Sequence, residues 1–288
     1  ENTVWRTQYE TALDKAGEND LTFGSEWLVI ALARSGRTVP DSYYDSVVKA
    51  VQDAGGELSD KKFSEYSRVI LALTAIGKDP ADVGGYDLLA KLADMDKVTY
   101  QGLNGAIFAL IALDSAGYEV PAAAEDANQT SREALVAYIL DKQLSDGGWA
   151  LSGDSTDPDM TAMAVQALAP YRSRADVAAA INSAMRWLSE KFQETGDYGS
   201  SETAAQVIVA LSALGRDAAT DPDFVTANGV SLLSNFLSYA DSRTDGFRHK
   251  KTGTVNQMAS EQAAYALVAY DRFKKAQNSL YDMTDVVE

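Results

Sequence analysis

The sequence predicts an all-α protein, an (α/α)6 toroid of six helical hairpins with an inner and an outer ring of helices. Three observations carry this expectation. An Ala-Leu anchor recurs six times, apolar stretches alternate with amphipathic ones, and neither end of the array is more polar than its middle.

The anchors are Ala31-Leu32, Ala72-Leu73, Ala112-Leu113, Ala167-Leu168, Ala210-Leu211 and Ala266-Leu267. Glycine follows the leucine by four residues at Gly36, Gly77, Gly117 and Gly215. Glycine there suits a left-handed helix C-cap, because it carries no Cβ to clash. Successive anchor leucines are 41, 40, 55, 43 and 56 residues apart, so two repeats carry an insertion of about fifteen residues.

The anchor stretches, such as Ala106 to Leu113, are apolar nearly all round, which marks helices buried all round. Between them lie amphipathic segments: Tyr43 to Val51, Tyr86 to Leu92, Arg132 to Leu144, Val177 to Phe192 and Val230 to Tyr239, with Trp5 to Ala16 ahead of the first anchor. Six dry helices alternating with six wet-backed ones describe two concentric rings. An open superhelical stack is the other arrangement such a repeat can build, but it needs polar terminal repeats. A single toroid domain over residues 1–277 is expected, followed by a polar, acidic tail over 278–288 that leads to a further domain. The opening Glu1-Asn2-Thr3 reads as a piece of something longer.

Composition narrows the functions. The net charge of −17, from 42 acidic and 25 basic residues, opposes binding to nucleic acid or anionic membrane. No apolar run is long enough to cross a bilayer. Without cysteine there are no disulfides, no thiolate nucleophile and no cysteine-ligated zinc. His249 is the one histidine, set in the basic run Arg248-His249-Lys250-Lys251 that reads as a solvated loop. No metal and no cofactor is expected.

Five turns ahead of the inner helices join glycine to aromatic or acidic residues: Phe23-Gly24, Tyr100-Gln101-Gly102, Asp146-Gly147-Gly148-Trp149, Asp197-Tyr198-Gly199 and Asp245-Gly246-Phe247. In a closed ring they share one rim, where aromatic walls with a few polar groups make a ligand site. The candidate ligand contacts on that rim are Trp27, Tyr66, Tyr100, Asn104, Trp149, Tyr198, Glu202, Gln206, Phe247 and Gln262. Packing of each loop onto its neighbour is the competing explanation for the aromatics.

Asp157-Pro158-Asp159 opens an inner helix. Clustered carboxylates raise one another's pKa, so Asp159 and Asp157 are candidate acid catalysts. Together with Asp154 they also read as a possible calcium site. Against both stands helix capping, because the same Asp-Pro-Asp recurs at Asp221-Pro222-Asp223 on an outer helix. Ser-acid pairs at Ser25-Glu26, Ser64-Glu65, Ser201-Glu202 and Ser260-Glu261 likewise read as helix starts.

The combination of Asp146-Gly147-Gly148-Trp149 with Asp157-Pro158-Asp159-Met160-Thr161-Ala162 resembles the repeat of the terpenoid cyclase and protein prenyltransferase toroid superfamily. Thr203 to Gly215 and Ser260 to Tyr270 are similar to later repeats of Gram-positive cell-surface proteins of that superfamily, which in turn resemble the helical domain of cobalamin carriers. The resemblance implies the toroid and a place on a bacterial surface within a longer multidomain protein. It implies little catalysis. Asp157 and Asp159 match the first two acids of the squalene-cyclase Asp-x-Asp-Asp, with Asp159 in the general-acid place, but Met160 replaces the last. The zinc site of the prenyltransferases needs a cysteine, and the second domains of the cyclases and carriers are missing. The expectation is a non-catalytic module that binds a small molecule, glycan or peptide at its mouth. The alternative is a cyclase-like enzyme using Asp159.

Overall fold

A computed structural model of the protein describes residues 2–287. Its helices are α1 (Asn2–Gly17), α2 (Glu26–Arg34), α3 (Asp41–Asp53), α4 (Ser64–Ala75), α5 (Met95–Val98), α6 (Leu103–Ser115), α7 (Arg132–Asp141), α8 (Pro158–Leu168), α9 (Ala175–Thr195), α10 (Ser201–Ala213), α11 (Leu232–Leu237) and α12 (Gln257–Lys274). A two-stranded antiparallel ribbon, β1 (Ala240–Asp241) and β2 (Gly246–Phe247), is the only sheet among the described residues. The protein is all-α. None of its described helices is long and apolar enough to cross a membrane.

Four of the anchors end their helices as the glycine spacing predicts. Gly36, Gly77, Gly117 and Gly215 have φ of 84°, 69°, 67° and 74°. The next residue's N–H returns to the anchor leucine: Arg37 to Leu32 (3.0 Å), Lys78 to Leu73 (2.9 Å), Tyr118 to Leu113 (2.9 Å) and Arg216 to Leu211 (2.9 Å). The repeat's signature is therefore a Schellman ending, in which the leucine is the residue whose carbonyl closes the turn.

The chain folds into two compact units. One is Asp20–Lys142 together with residues 281–287, and holds α2 to α7. Its buried helices are α2, α4 and α6. The N–H of Ser64, the first residue of α4, donates to Gln101 Oε1 ahead of α6 (3.0 Å), and Thr74 near the end of α4 bonds to Tyr118 beyond α6 (2.8 Å). Start meets start and end meets end, so these helices run parallel. At Gly105 a Cβ would lie 2.0 Å from the Val98 carbonyl oxygen, which explains a glycine inside α6.

Residues 281–287 are not a loose tail. Met283 is buried and its N–H donates to the Ser115 carbonyl (2.7 Å). The buried Arg34 guanidinium holds Asp285 (2.7 Å) and the Asp282 carbonyl (2.7 Å). This segment lies across the C-terminal ends of α2 and α6 because Arg34, in the last turn of α2, needs partners once desolvated.

The other unit is Gln143–Leu280 with α1. Its buried helices α8, α10 and α12 are parallel too. Gln166 reaches Gln206, Gln206 reaches Gln262, and beyond the far end Tyr270 donates to Asp217 (2.8 Å). The chain's first helix packs on its last: Trp5 meets Tyr270 edge-on at 5.1 Å, and Arg6 approaches Asp271 at 3.8 Å.

The outer segments depart from expectation in two places. Tyr86 to Leu92 forms only a 3-10 turn over Leu89–Leu92, because Gly84 and Gly85 close a tight turn between Val83 and Tyr86. Asp221-Pro222-Asp223 also opens a three-residue 3-10 turn rather than an outer helix. Asp221 still caps it, accepting from the Asp223 N–H (3.0 Å), and Arg216 grips both acids.

Candidate functional site

The turn ahead of α8 is built from its own residues. Asp146 accepts from the Gly148 N–H (3.2 Å) and the Thr156 hydroxyl (2.7 Å). A Cβ on Gly148 would stand 2.2 Å from Thr156 Cγ2, so the Gly-Trp step is dictated by close approach. The Trp149 N–H donates to Thr161 Oγ1 (2.9 Å) in the first turns of α8, and the indole is 0% exposed. The turn is a staple, and Trp149 is core. This corrects its assignment as a ligand contact.

Asp157 and Asp159 separate in role. Asp157 is the N-cap of α8, accepting from the Met160 N–H (2.8 Å), with Pro158 in the first turn. Asp159 is no cap. It is half-buried, its hydrogen-bond partner is the Thr203 hydroxyl on α10, and its Oδ1 is enclosed without a partner. Burial pushes its pKa above the ordinary carboxylate value. The Thr203 hydrogen bond opposes that rise, the charges of Asp157 and Glu202 add to it, and His249 opposes it.

At the start of α10 the N-cap is Ser200, accepting from the Thr203 N–H (3.1 Å), and not Ser201. Ser201 instead donates its N–H to the His249 carbonyl (3.2 Å). Glu202 is buried. Its Oε2 accepts from the Ser201 hydroxyl (3.2 Å) and lies 2.9 Å from His249 Nδ1. His249 was expected in a solvated loop. Its side chain is 53% exposed, but the loop is pinned: Arg248 pairs with Asp241, and Lys251 with Asp197 at 2.8 Å. The buried Asp241 and Glu202, with Asp197, draw the basic run down onto α10.

Beneath this cluster a buried polar ladder crosses the three helices. Gln166 Nε2 donates to the Gln206 carbonyl and to its Oε1 (both 2.9 Å). Gln206 Nε2 donates in turn to Gln262 Oε1 (2.9 Å) and Tyr265 OH (2.5 Å). Asp159, Glu202, Gln206 and Gln262 are thus brought together in one unit, with Thr203, His249, Gln166 and Tyr265 added. The missed glutamine was legible: Gln166, Gln206 and Gln262 interrupt otherwise apolar helices.

Several expected contacts turn out to be packing. Phe247 is buried and stacks on Phe236 (5.0 Å, 22°). Tyr198 packs on Phe192 (5.6 Å) and donates to the Leu188 carbonyl (2.6 Å); burial raises its phenol. In the other unit, Tyr66 is buried and donates to the Ser59 carbonyl (2.9 Å). Those rings fill their own loops' hydrophobic contacts, which corrects their assignment to a ligand surface. Trp27 is half-buried against Phe108 (5.7 Å), Asn104 is half-buried in the first turn of α6, and Tyr100 is 66% exposed.

Three of the Ser-acid pairs stand at helix starts as read, at α2, α4 and α10, but the serines supply no side-chain cap there. Phe63 and Asn256 hold the N-cap places of α4 and α12, and Ser25 accepts from the Thr22 N–H (3.3 Å). Glu26 is 0% exposed and faces Arg68 at 3.1 Å, so it adds no charge to a rim. Asp154 is exposed and Asp157 is committed to its cap. No group of three acidic or histidine side chains that could hold a metal ion occurs among the described residues, so the calcium reading of Asp154, Asp157 and Asp159 has no geometry behind it.

A stability test follows from Asp159. Its native carboxyl holds a proton more tightly than the unfolded chain does, so its favourable contribution is complete below the ordinary value of 3.8 and is lost as pH rises through the raised native value. Asp159→Asn is therefore expected to stabilise the protein at pH 7, by on the order of 1 kcal/mol, and to be neutral near pH 3. Urea unfolding at both values checks it; destabilisation at pH 7 would mean the carboxylate is structurally required.

No family model matches the chain, and comparison with curated proteins finds none similar to it.

Proposed function

We propose that the protein is a non-catalytic recognition module, a ring of six helical hairpins that binds a small molecule, glycan or peptide at the N-terminal end of its buried helices. One observation carries the reading. Asp159, a first-turn acid beside the Glu202–His249 pair, is neither cap nor salt bridge, and its buried Oδ1 has no partner. A group kept in that state at a stability cost is a candidate for function. What supports a ring is the packing of the first helix on the last inside one unit, which a linear stack of hairpins does not require. Placement on a bacterial surface, within a longer multidomain protein, rests on the resemblance of the repeats. The net charge of −17 speaks against nucleic acid as partner.

His249 is the sole histidine, so its imidazole signals in NMR report on this site alone. A panel of sugars, short peptides and a corrinoid should contain one class that shifts those signals and raises the unfolding midpoint. At a hundredfold excess over Kd the gain is about 2.7 kcal/mol. A panel that leaves both unchanged removes the reading.

A second reading, acid catalysis by Asp159 as in terpene cyclases, is favoured by its raised pKa and free oxygen. The neighbours weigh against it: Thr203, Glu202 and His249 are polar, whereas a carbocation route needs apolar walls. Conversion of a polyprenyl substrate that disappears in Asp159→Asn would establish it.

A further inference from the structure

We infer that the unit holding α2 to α7 carries a carbohydrate-binding cleft of its own, formed by residues 86–97 and the insertion ahead of α7. The inference is independent of Asp159, which belongs to the other unit.

The cleft offers room and is built in advance. Its volume is about 400 Å³, inside the range of about 300–1,000 Å³ in which small-molecule sites fall. Phe63 and Tyr86 line it together with Ala122, Ala123, Ala124 and Ala127. Main-chain hydrogen bonds tie the insertion to the segment before α5: the Met95 N–H donates to the Asn128 carbonyl (2.7 Å), and the Thr130 N–H to the Ala93 carbonyl (2.8 Å). Gln129 then folds the insertion on itself. Its Nε2 donates to the Pro121 carbonyl (3.1 Å) and its Oε1 accepts from the Ala123 N–H (2.8 Å). A stretch with neither helix nor strand is thus held in one shape, and long ordered loops of this kind are where binding residues concentrate. Tyr86 is fixed as well. A Cβ on Gly56 would stand 2.4 Å from its Cδ1, so the glycine lets main chain lie against the ring.

The charged groups select the ligand. They come as two pairs of opposite sign: Lys91 is bonded to Glu57, and Lys97 stands 4.0 Å from Asp94. Asp94 Oδ1 is committed to the Asp96 N–H (3.1 Å) as the cap of α5, and Oδ2 is the oxygen facing Lys97. That separation exceeds a hydrogen bond. A hydroxyl between the two accepts from the ammonium and donates to the carboxylate through one oxygen. A main-chain amide cannot, because its donor and acceptor are different atoms on opposite edges. Net charge gains less. An anion meets Glu57, Asp87 and Asp94, and a cation meets Lys91 and Lys97. Neutral hydroxyls on a ring whose C–H faces can lie on methyl and aromatic surfaces meet both demands, and that is a sugar.

The test titrates the whole protein, isotope-labelled at its alanine methyls, with glucose, galactose and mannose, each beside its uronate and its 2-amino counterpart. At least one neutral sugar is expected to bind saturably, about tenfold tighter than either charged counterpart, moving the Ala122, Ala123, Ala124 and Ala127 signals and leaving His249 unmoved. Lys97→Met and Asp94→Asn should each weaken that sugar about tenfold; asparagine keeps the cap, so the fold is retained. Ala124→Phe, at an exposed position, should fill the cleft and abolish binding. The inference is overturned if no sugar moves the alanine signals, if a charged counterpart binds as tightly, or if both charge variants leave binding unchanged. N-acetylalanine amide binding where the sugars do not would assign the cleft to peptides and overturn it too. A sugar that moves His249 and not the alanines supports the site at Asp159 and overturns this one, so the two readings fail separately.

Discussion

Trp149→Ala is expected to destabilise the protein by about 3–5 kcal/mol, as is usual when a fully buried aromatic is truncated. The indole is wholly enclosed, and the turn that carries it is bonded to the first turns of α8 through Thr161 and Asp157. The loss therefore combines a cavity with a loosened α8 start. Trp149→Phe should recover most of it. Urea unfolding measures the cost. A loss below about 1 kcal/mol, coupled to failure of ligand binding, would return Trp149 to the recognition surface.

Glu26→Ala should cost about 3 kcal/mol, because it removes one partner of a buried ion pair. Glu26 Oε1 accepts from the Gly24 N–H (2.8 Å) and lies 3.4 Å from the Tyr43 hydroxyl, while Oε2 faces Arg68. Truncation strands the Gly24 and Tyr43 donors and leaves Arg68 with Glu65 as its remaining partner. Desolvation beside Glu26 pushes the Tyr43 phenol strongly upward, so Tyr43 stays a donor at every accessible pH. The contrast with Asp159→Asn is the useful part. Two first-turn acids on buried helices should change stability in opposite directions, one as a structural ion pair and the other as a group held for a ligand. Chemical unfolding of both variants at pH 7 decides it; a shared sign would erase the distinction.

Much of the local structure was legible beforehand. Ala-Leu with glycine four residues on is a Schellman ending, and Asp157-Pro158 is a cap with proline in the first turn. Both depend on contacts within a turn or two. The aromatic turns misled for the same reason. Glycine beside tryptophan or phenylalanine signals a tight turn, but not whether the ring faces solvent or the helix below. Trp149 and Phe247 face the helix.

The site itself required the assembled chain. Gln166, Gln206 and Gln262 are 40 and 56 residues apart in sequence, and only parallel packing of α8, α10 and α12 makes them one ladder. His249 belongs to the site because Asp241, Glu202 and Asp197 draw its loop inward.

By itself the sequence determined that the protein is helical, where four of its buried helices end, and that Asp157 caps a fifth, α8, since each of these is decided by neighbours within a few residues. The tertiary structure alone decided that Asp159, two residues further on, is left with an unpaired buried oxygen. Whether a side chain loses its water depends on what other helices bring against it.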